Sequence, residues 1–205
     1  MGPDALSDSL ASIRLLAISG SLRARSANTE LLRAVAALAA PAIEVVLYTG
    51  LRELPHFDPD LDREGMTAPP PVQALRHEIL RADGLLISSP EYAHGVPGSL
   101  KNALDWLVSD AAMIYKPIGL LNASPRASHA HAALAETLRT MSTERVEDAC
   151  LVLPLAGRSL DAAAIAQDPE LRPRLRAALD AMAAAVPAYH ARRATLPGAE
   201  LEGAR

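Results

Sequence analysis

The sequence is poor in the residues that mark several common protein classes. It has one cysteine, Cys150, which excludes an intramolecular disulfide and any multi-cysteine zinc or iron–sulfur site. Only 3% of its 205 residues are aromatic, so Leu, Ile, Val and Ala must fill the core. Its apolar runs fall short of the ~20 consecutive residues that a membrane-spanning helix needs. The first twelve residues contain acids but no basic cluster, so we expect no secretory signal, and a cytoplasmic protein without a membrane segment.

Positive charge is also scarce. The chain has 20 Lys and Arg against 24 Asp and Glu, and Lys101 and Lys116 are the only lysines. Nucleic-acid-binding domains are usually basic because they neutralise phosphates, so nucleic acid is not expected as a partner. The six histidines show no metal-ligand spacing, so no metal site is predicted. No Gly-x-Ser-x-Gly motif supports a hydrolase.

Five short apolar runs indicate strands that are buried on both faces, as in a parallel sheet. They are Arg14–Ile18, Ile43–Tyr48, Gly84–Ser88, Ile118–Asn122 and Ala149–Leu153. Between and after these runs, apolar residues recur at helical spacing. This alternation predicts an α/β fold, in which a five-stranded parallel sheet carries helices on both faces. For a doubly wound sheet we expect the strand order 2-1-3-4-5.

The pattern suits one domain over residues 13–190, with flexible tails at 1–12 and 191–205. The connection from about Thr49 to Pro71 is long enough to suggest a functional or mobile loop. Asp168 and Pro169 predict the start of the last helix, since Asp is a good N-cap and proline suits the first helical position.

A polar segment, SGSLRARSAN, follows the first strand at residues 19–28. A helix beginning there would offer free N–H groups and a partial positive charge to a phosphate. Ser21 and Ser26 add hydroxyls, Asn28 an amide or an N-cap, and Arg23 several donors for a dianion. The alternative is a polar turn with a capped helix. The segment matches neither the P-loop nor the GxGxxG fingerprint.

A second loop, SPEYAHGVPG, follows the third strand at residues 89–98 and leads into a helix over Ser99–Val108. Its two prolines and two glycines fix a backbone that can approach a flat ligand, and Tyr92 and His94 add ring faces. For Trp106 in the helix that follows, we favour core or interface packing.

In a sheet of order 2-1-3-4-5 the first and third strands are neighbours, and their helices leave on opposite faces. A crevice opens at that switch point, where ligands bind. A phosphate loop and a ring platform on either side of it predict a mononucleotide with a large flat base.

The segments GSLRARSAN and PEYAHGVPGSLKNALDW closely resemble the NADPH-dependent FMN reductase family, with its patterns G-S-x-R-x-x-S-x-N and P-E-Y-N-x-x-x-P-G-x-L-K-N-A-x-D-W. The resemblance implies a flavodoxin-like three-layer sandwich, bound FMN, NADPH or NADH as co-substrate, and a flavin, quinone, azo compound or metal oxyanion as small-molecule acceptor. It further implies a homodimer or homotetramer. By position, FMN phosphate would be held by Ser21, Arg23, Ser26 and Asn28. The flavin ring would be bordered by Pro90, Glu91, Tyr92, His94 and Gly95.

Two positions depart from the family pattern. Ala93 replaces the usual Asn, which removes one polar side chain near the flavin. The loop after the fourth strand, NASPRAS at residues 122–128, replaces a Ser/Gly-rich stretch; Ser124 is still expected to contact the ring, whereas Arg126 would face nucleotide phosphates or solvent. No catalytic side chain is predicted, because hydride chemistry belongs to the flavin. An electron carrier and a non-catalytic FMN-binding module remain the alternative functions.

Overall fold

The computed structural model describes residues 12–155 and 157–196. Its strands are β1 (Ile13–Ser19), β2 (Ile43–Tyr48), β3 (Gly84–Ser88), β4 (Pro117–Asn122), β5 (Glu144–Arg145) and β6 (Leu151–Val152). Its helices are α1 (Ala27–Leu38), α2 (Pro70–Arg81), α3 (Gly98–Asp105), α4 (Ser128–Thr140), α5 (Ala162–Gln167) and α6 (Leu171–Arg193). All pairings in the sheet are parallel, and the order β2-β1-β3-β4-β5 confirms the prediction.

The fifth strand differs from the single strand predicted over Ala149–Leu153. β4 pairs first with β5 and then, further along, with β6, and a 3-10 turn over Glu147–Ala149 separates the two. The predicted run contains β6, but β5 was missed because it is a polar strand at the edge of the sheet, and an apolar-run criterion detects only buried strands. Cys150 therefore lies just before β6, where burial raises the pKa of its thiol, as suits an unreactive side chain.

Successive residues of β1 point into two different helical layers. Leu15 and Ala17 belong to a core with α1, α5 and α6, whereas Leu16 and Ile18 belong to a core with α2, α3 and α4. The helices that follow β1 and β3 thus lie on opposite faces of the sheet. This arrangement opens a crevice between the carboxyl ends of those two strands, as the sequence predicted.

The long connection between β2 and α2 is anchored to α3. The Asn102 side chain accepts a hydrogen bond from Phe57 N (2.8 Å) and donates one to Pro55 O (2.9 Å). Trp106 is fully buried, donates through Nε1 to the same Pro55 O (2.9 Å), and meets the Phe57 ring edge to face at 5.0 Å. Of the two roles favoured for Trp106, the structure shows core packing.

The last helix is capped as predicted but starts slightly later. The Asp168 carboxylate accepts hydrogen bonds from the backbone N–H groups of Glu170 (2.9 Å) and Leu171 (3.1 Å). Helix α6 then runs to Arg193, three residues past the predicted domain end at 190. The predicted tails lie mostly outside the described residues.

In the described part of the chain, no helix combines the length and apolar character that a membrane crossing needs.

Candidate functional site

A cavity of about 310 Å³ opens at the carboxyl ends of β1, β3 and β4. Its walls are the first turn of α1, the loop after β3 and the loop after β4, and the lining includes Asn28, Pro90, Glu91, Ser124, Arg126 and Ala127. Four of these are predicted site residues. The other six lie on the loops after β1 and β3 but do not line this cavity, namely Ser21, Arg23, Ser26, Tyr92, His94 and Gly95.

Of the hollows that lie elsewhere, two have a much greater volume. One of about 440 Å³ sits between α4 and β4, and one of about 640 Å³ between β2 and α2. Neither is lined by a residue of the two loop motifs. We therefore place the functional site at the smaller cavity, which occupies the switch point of the sheet.

The start of α1 has the features of an anion site. Ser26 precedes the helix in an extended conformation, and its side chain makes no capping hydrogen bond, so the first-turn N–H groups have no side-chain partner. Ser21 and Ser26 are buried, and the Ser21 hydroxyl accepts a weak hydrogen bond from Arg23 N (3.3 Å). The Arg23 side chain is exposed. Free amides, hydroxyls and a guanidinium together suit a phosphate.

Hydrogen bonds fasten α1 to the strands beneath it. Asn28 accepts from the buried Ser88 hydroxyl (2.9 Å), and Ser19 shares a hydrogen bond with Thr29 (2.8 Å). Asn28 thus braces α1 against β3, while its Nδ2 group donates to no other atom in the described part of the chain. Sequence reasoning missed Ser88 as a partner, because residues 60 positions apart carry no local signal.

The loops after β1 and β3 abut at Gly20. A Cβ atom at this position would lie 2.5 Å from Ser89 Oγ and 3.0 Å from a Leu100 methyl group. Glycine is therefore required for the close approach of the two loops, and Gly20 N completes the contact by donating to Ser88 O (2.8 Å).

The loop after β3 turns tightly at residues 92–95. Tyr92 and Gly95 exchange two backbone hydrogen bonds (3.1 and 2.9 Å), and the central residues Ala93 and His94 have φ values of 48° and 61°. Positive φ at both central positions is the type I′ geometry, which favours Asn or Gly. The family Asn therefore has a backbone role at position 93 besides any contact with the flavin, and Ala93 adopts this conformation without the preference that Asn has for it.

Two contacts tie this loop to the first turn of α4. Glu91 Oε2 accepts a hydrogen bond from Ala130 N (2.8 Å), and the helix has no cap of its own, since its N-cap residue is Ala127. Glu91 thus acts as a structural carboxylate. The His94 ring stacks on His129 at 4.3 Å with an interplanar angle of 10°. His129 was not a predicted site residue, because the contact joins two distant segments.

The loop after β4 is held by one side chain. Asn122 accepts from Ser124 N (2.9 Å) and donates to Ala127 O (3.1 Å), so it spans the turn from inside. Arg126 lies between these anchors with an exposed side chain. The fixed backbone therefore presents a guanidinium at the cavity. Ser124 and Arg126 were expected from the sequence, whereas the role of Asn122 in holding their backbone was not.

A parallel sheet of this order, with an anion site after β1 and a ring-bordering turn after β3, defines a flavodoxin-like protein of the mononucleotide-binding class. The chain belongs to the NADPH-dependent FMN reductase family, whose family model matches residues 13–148. This confirms the resemblance seen in the two loop motifs.

Known relatives agree with this assignment. The chain is 46% identical over 97 residues to an NADPH:quinone oxidoreductase of Arabidopsis thaliana, which covers 46% of this chain and 48% of the relative. It is 36% identical over 108 residues to a quinone reductase of Escherichia coli K12, which covers 52% and 57% respectively. The chain thus spans about half the length of the curated relatives it matches.

A solved structure resembles a larger part of the chain. A flavoenzyme NAD(P)H:(acceptor) oxidoreductase from Paracoccus denitrificans aligns with a TM-score of 0.68 and 27% identity, over 86% of this chain and 98% of that one. The likeness extends past residue 148, so the fold is shared beyond the part that the family model matches.

The residues present fit an FMN. Its terminal phosphate needs several donors, which the uncapped start of α1, the buried hydroxyls of Ser21 and Ser26 and the Arg23 guanidinium supply. Its ring needs a close backbone, which the rigid turn after β3 offers. Among residues 12–155 and 157–196, no three His, Cys, Asp or Glu side chains come together as a metal site.

Proposed function

We propose that this protein is an FMN-dependent NAD(P)H oxidoreductase that passes two electrons to a small-molecule acceptor. The observation that carries the proposal is the cavity at the carboxyl ends of β1, β3 and β4, because the uncapped start of α1 and the loop after β3 both line it, as a phosphate site and a ring border would require. Family membership supports the same reaction.

The chain's own residues bind and orient rather than react. Ser21, Arg23 and Ser26 would hold the phosphate, with Asn28 bracing the helix behind them. The ring would be bordered by Pro90, Glu91, Tyr92, His94, Gly95 and Ser124. When bound, FMN supplies the two-electron relay between a nicotinamide and an acceptor. With a quinone, NAD(P)H and one proton yield NAD(P)⁺ and the hydroquinone.

One cavity must serve donor and acceptor in turn, because the loops after β1, β3 and β4 surround it. Steady-state kinetics with NADPH and a quinone should therefore be ping-pong, with parallel double-reciprocal lines. Intersecting lines, with both substrates shown to bind together, would contradict a shared cavity. Flavin-bound protein that NADPH and NADH both fail to reduce would be an electron carrier or a non-catalytic module instead.

We further propose a homodimer or homotetramer located in the cytoplasm. Family resemblance supports the assembly, and Val108, which is 66% exposed just after α3, is an apolar side chain available for a subunit contact, unlike the buried Trp106. Light scattering at micromolar concentration should give at least a dimer, and a monomer would contradict this. Cell fractionation tests the location.

A further inference from the structure

The cavity carries a positive group without an ion-pair partner among the described residues. Arg126 lines the cavity, is exposed, and forms no ion pair or side-chain hydrogen bond with any residue that the structure describes. Some arginines elsewhere pair closely with carboxylates, such as Arg14 with Glu78 (2.6 Å) and Arg76 with Asp62 (2.7 Å).

No acidic side chain of the described residues is paired with this guanidinium. Glu91 is the one acid among the described residues that line the cavity, and its carboxylate accepts from Ala130 N rather than from Arg126. The Arg126 guanidinium therefore keeps its hydrogen-bond donors available to an anionic ligand.

Arg126 lies on a different loop from the proposed FMN phosphate site. The phosphate loop follows β1 and the Arg126 loop follows β4, and these strands are separated by β3. At a strand spacing of ~4.8 Å, the two loops leave the sheet roughly 10 Å apart. The phosphate has Arg23 and the start of α1 as its own donors, so Arg126 remains available for a second ligand.

We propose that Arg126 is a specificity-determining residue that selects anionic acceptors, those bearing a sulfonate, carboxylate or phosphate, over neutral ones of the same ring type. The proposal rests on the proposed function, since it assigns the acceptor class of that same site. Asn122 fixes the backbone on both sides of Arg126, so the guanidinium is presented from a rigid loop. A guanidinium matches the paired oxygens of such groups with parallel hydrogen bonds.

The test compares 1,4-naphthoquinone-2-sulfonate with 1,4-naphthoquinone as acceptors for the FMN-loaded protein. The ratio of their kcat/KM values is measured in wild type and variants, so that the different reactivities of the two quinones cancel between proteins. Arg126→Ala should lower the ratio roughly tenfold, Arg126→Glu further, and Arg126→Lys within about threefold of wild type. The control is Arg81→Ala, an exposed arginine at the end of α2, which precedes the amino end of β3, whereas the cavity lies at the carboxyl ends of the strands.

Two measurements besides turnover accompany this comparison. Calorimetric titration of the oxidised protein with 1,4-naphthoquinone-2-sulfonate should show a weaker Kd in Arg126→Ala and an unchanged Kd in Arg81→Ala. Raising the ionic strength from about 0.01 M to about 0.1 M shortens the Debye length from about 30 Å to about 10 Å, so it should lower the wild-type ratio but not that of Arg126→Ala.

An unchanged acceptor ratio and an unchanged Kd in Arg126→Ala would overturn the proposal. An effect confined to the KM for NADPH would also overturn it, because Arg126 would then serve the donor alone. Failure of the proposed function has a different signature, namely protein that binds no FMN or is not reduced by NAD(P)H. If NAD(P)H reduces the protein normally but the acceptor ratio does not depend on Arg126, only the role of Arg126 is refuted.

Discussion

Removing the Glu91 carboxylate should loosen the join between the loop after β3 and α4. Its Oε2 accepts from Ala130 N at 2.8 Å and is the side-chain cap of a helix whose own N-cap is an alanine. Loss of an N-cap costs about 0.5–2 kcal/mol. For a chain of this size, each kcal/mol shifts Tm by about 2–4 °C, so Glu91→Ala should lower Tm by roughly 1–8 °C.

Glu91→Gln separates the two parts of this contact. The amide keeps an acceptor oxygen for Ala130 N but loses the negative charge, which contributes about 0.3–1 kcal/mol at a helix N-terminus, so its Tm should fall by less. The matched control is Glu136→Ala on the exposed face of the same helix, where the surface pair with Arg139 contributes little.

Thermal denaturation followed by circular dichroism measures all three variants, and FMN titration tests whether the loosened loop also weakens binding. A Tm of Glu91→Ala equal to that of the wild type, or no lower than that of Glu136→Ala, would refute the capping role.

Three further predictions concern the phosphate site, the loop contact and acid stability. Arg23→Ala should weaken FMN binding roughly ten- to a hundredfold, because a hydrogen bond to a charged group contributes ~1.5–3 kcal/mol. Fluorescence titration measures this affinity, and an unchanged affinity would show that Arg23 is only a solvated loop residue. Gly20→Ala should lower both Tm and FMN affinity, because the added Cβ would lie only 2.5–3.0 Å from neighbouring atoms. Gly98→Ala is the control and should be tolerated, because a Cβ added there has no neighbouring atom within 4 Å. Equal effects of the two substitutions would refute this prediction. Burial alone would raise the pKa of Asp62, but hydrogen bonds from Arg76 and a serine hold that pKa below its usual value. The ionised Asp62 therefore stabilises the fold above its unfolded pKa of about 3.9, and this stabilisation is lost as pH falls through the lower folded pKa. At pH 7 the urea midpoint of Asp62→Asn should lie below that of the wild type, and the difference between the two midpoints should shrink below about pH 4. A difference that does not change with pH would contradict this prediction.

The sequence predicted those features that depend on neighbours in the chain. β1, β3 and β4 are apolar runs buried on both faces, and β2 is an apolar run at the edge of the sheet, so composition reveals all four. Their alternation with helices indicates a parallel sheet. β5 was not predicted, because a strand at the edge of the sheet tolerates polar residues and carries no apolar run. The capping of α6 by Asp168 was predictable because the contact spans three residues.

The parts of the site that were missed all join distant segments. Ser88 meets Asn28, and His129 stacks on His94, only after the sheet brings their loops together. Position 93 was interpreted from its side chain alone, whereas the turn shows that its backbone conformation matters as well. A single sequence names the residues on each loop but does not show which of them support the others.

FMN binding by the purified protein tests the central claim most directly. We expect one FMN per chain, released as FMN rather than FAD because the cradle at α1 suits a terminal phosphate, and anaerobic NADPH should bleach the bound flavin fully. A colourless protein that also fails to quench the fluorescence of added FMN would contradict the account.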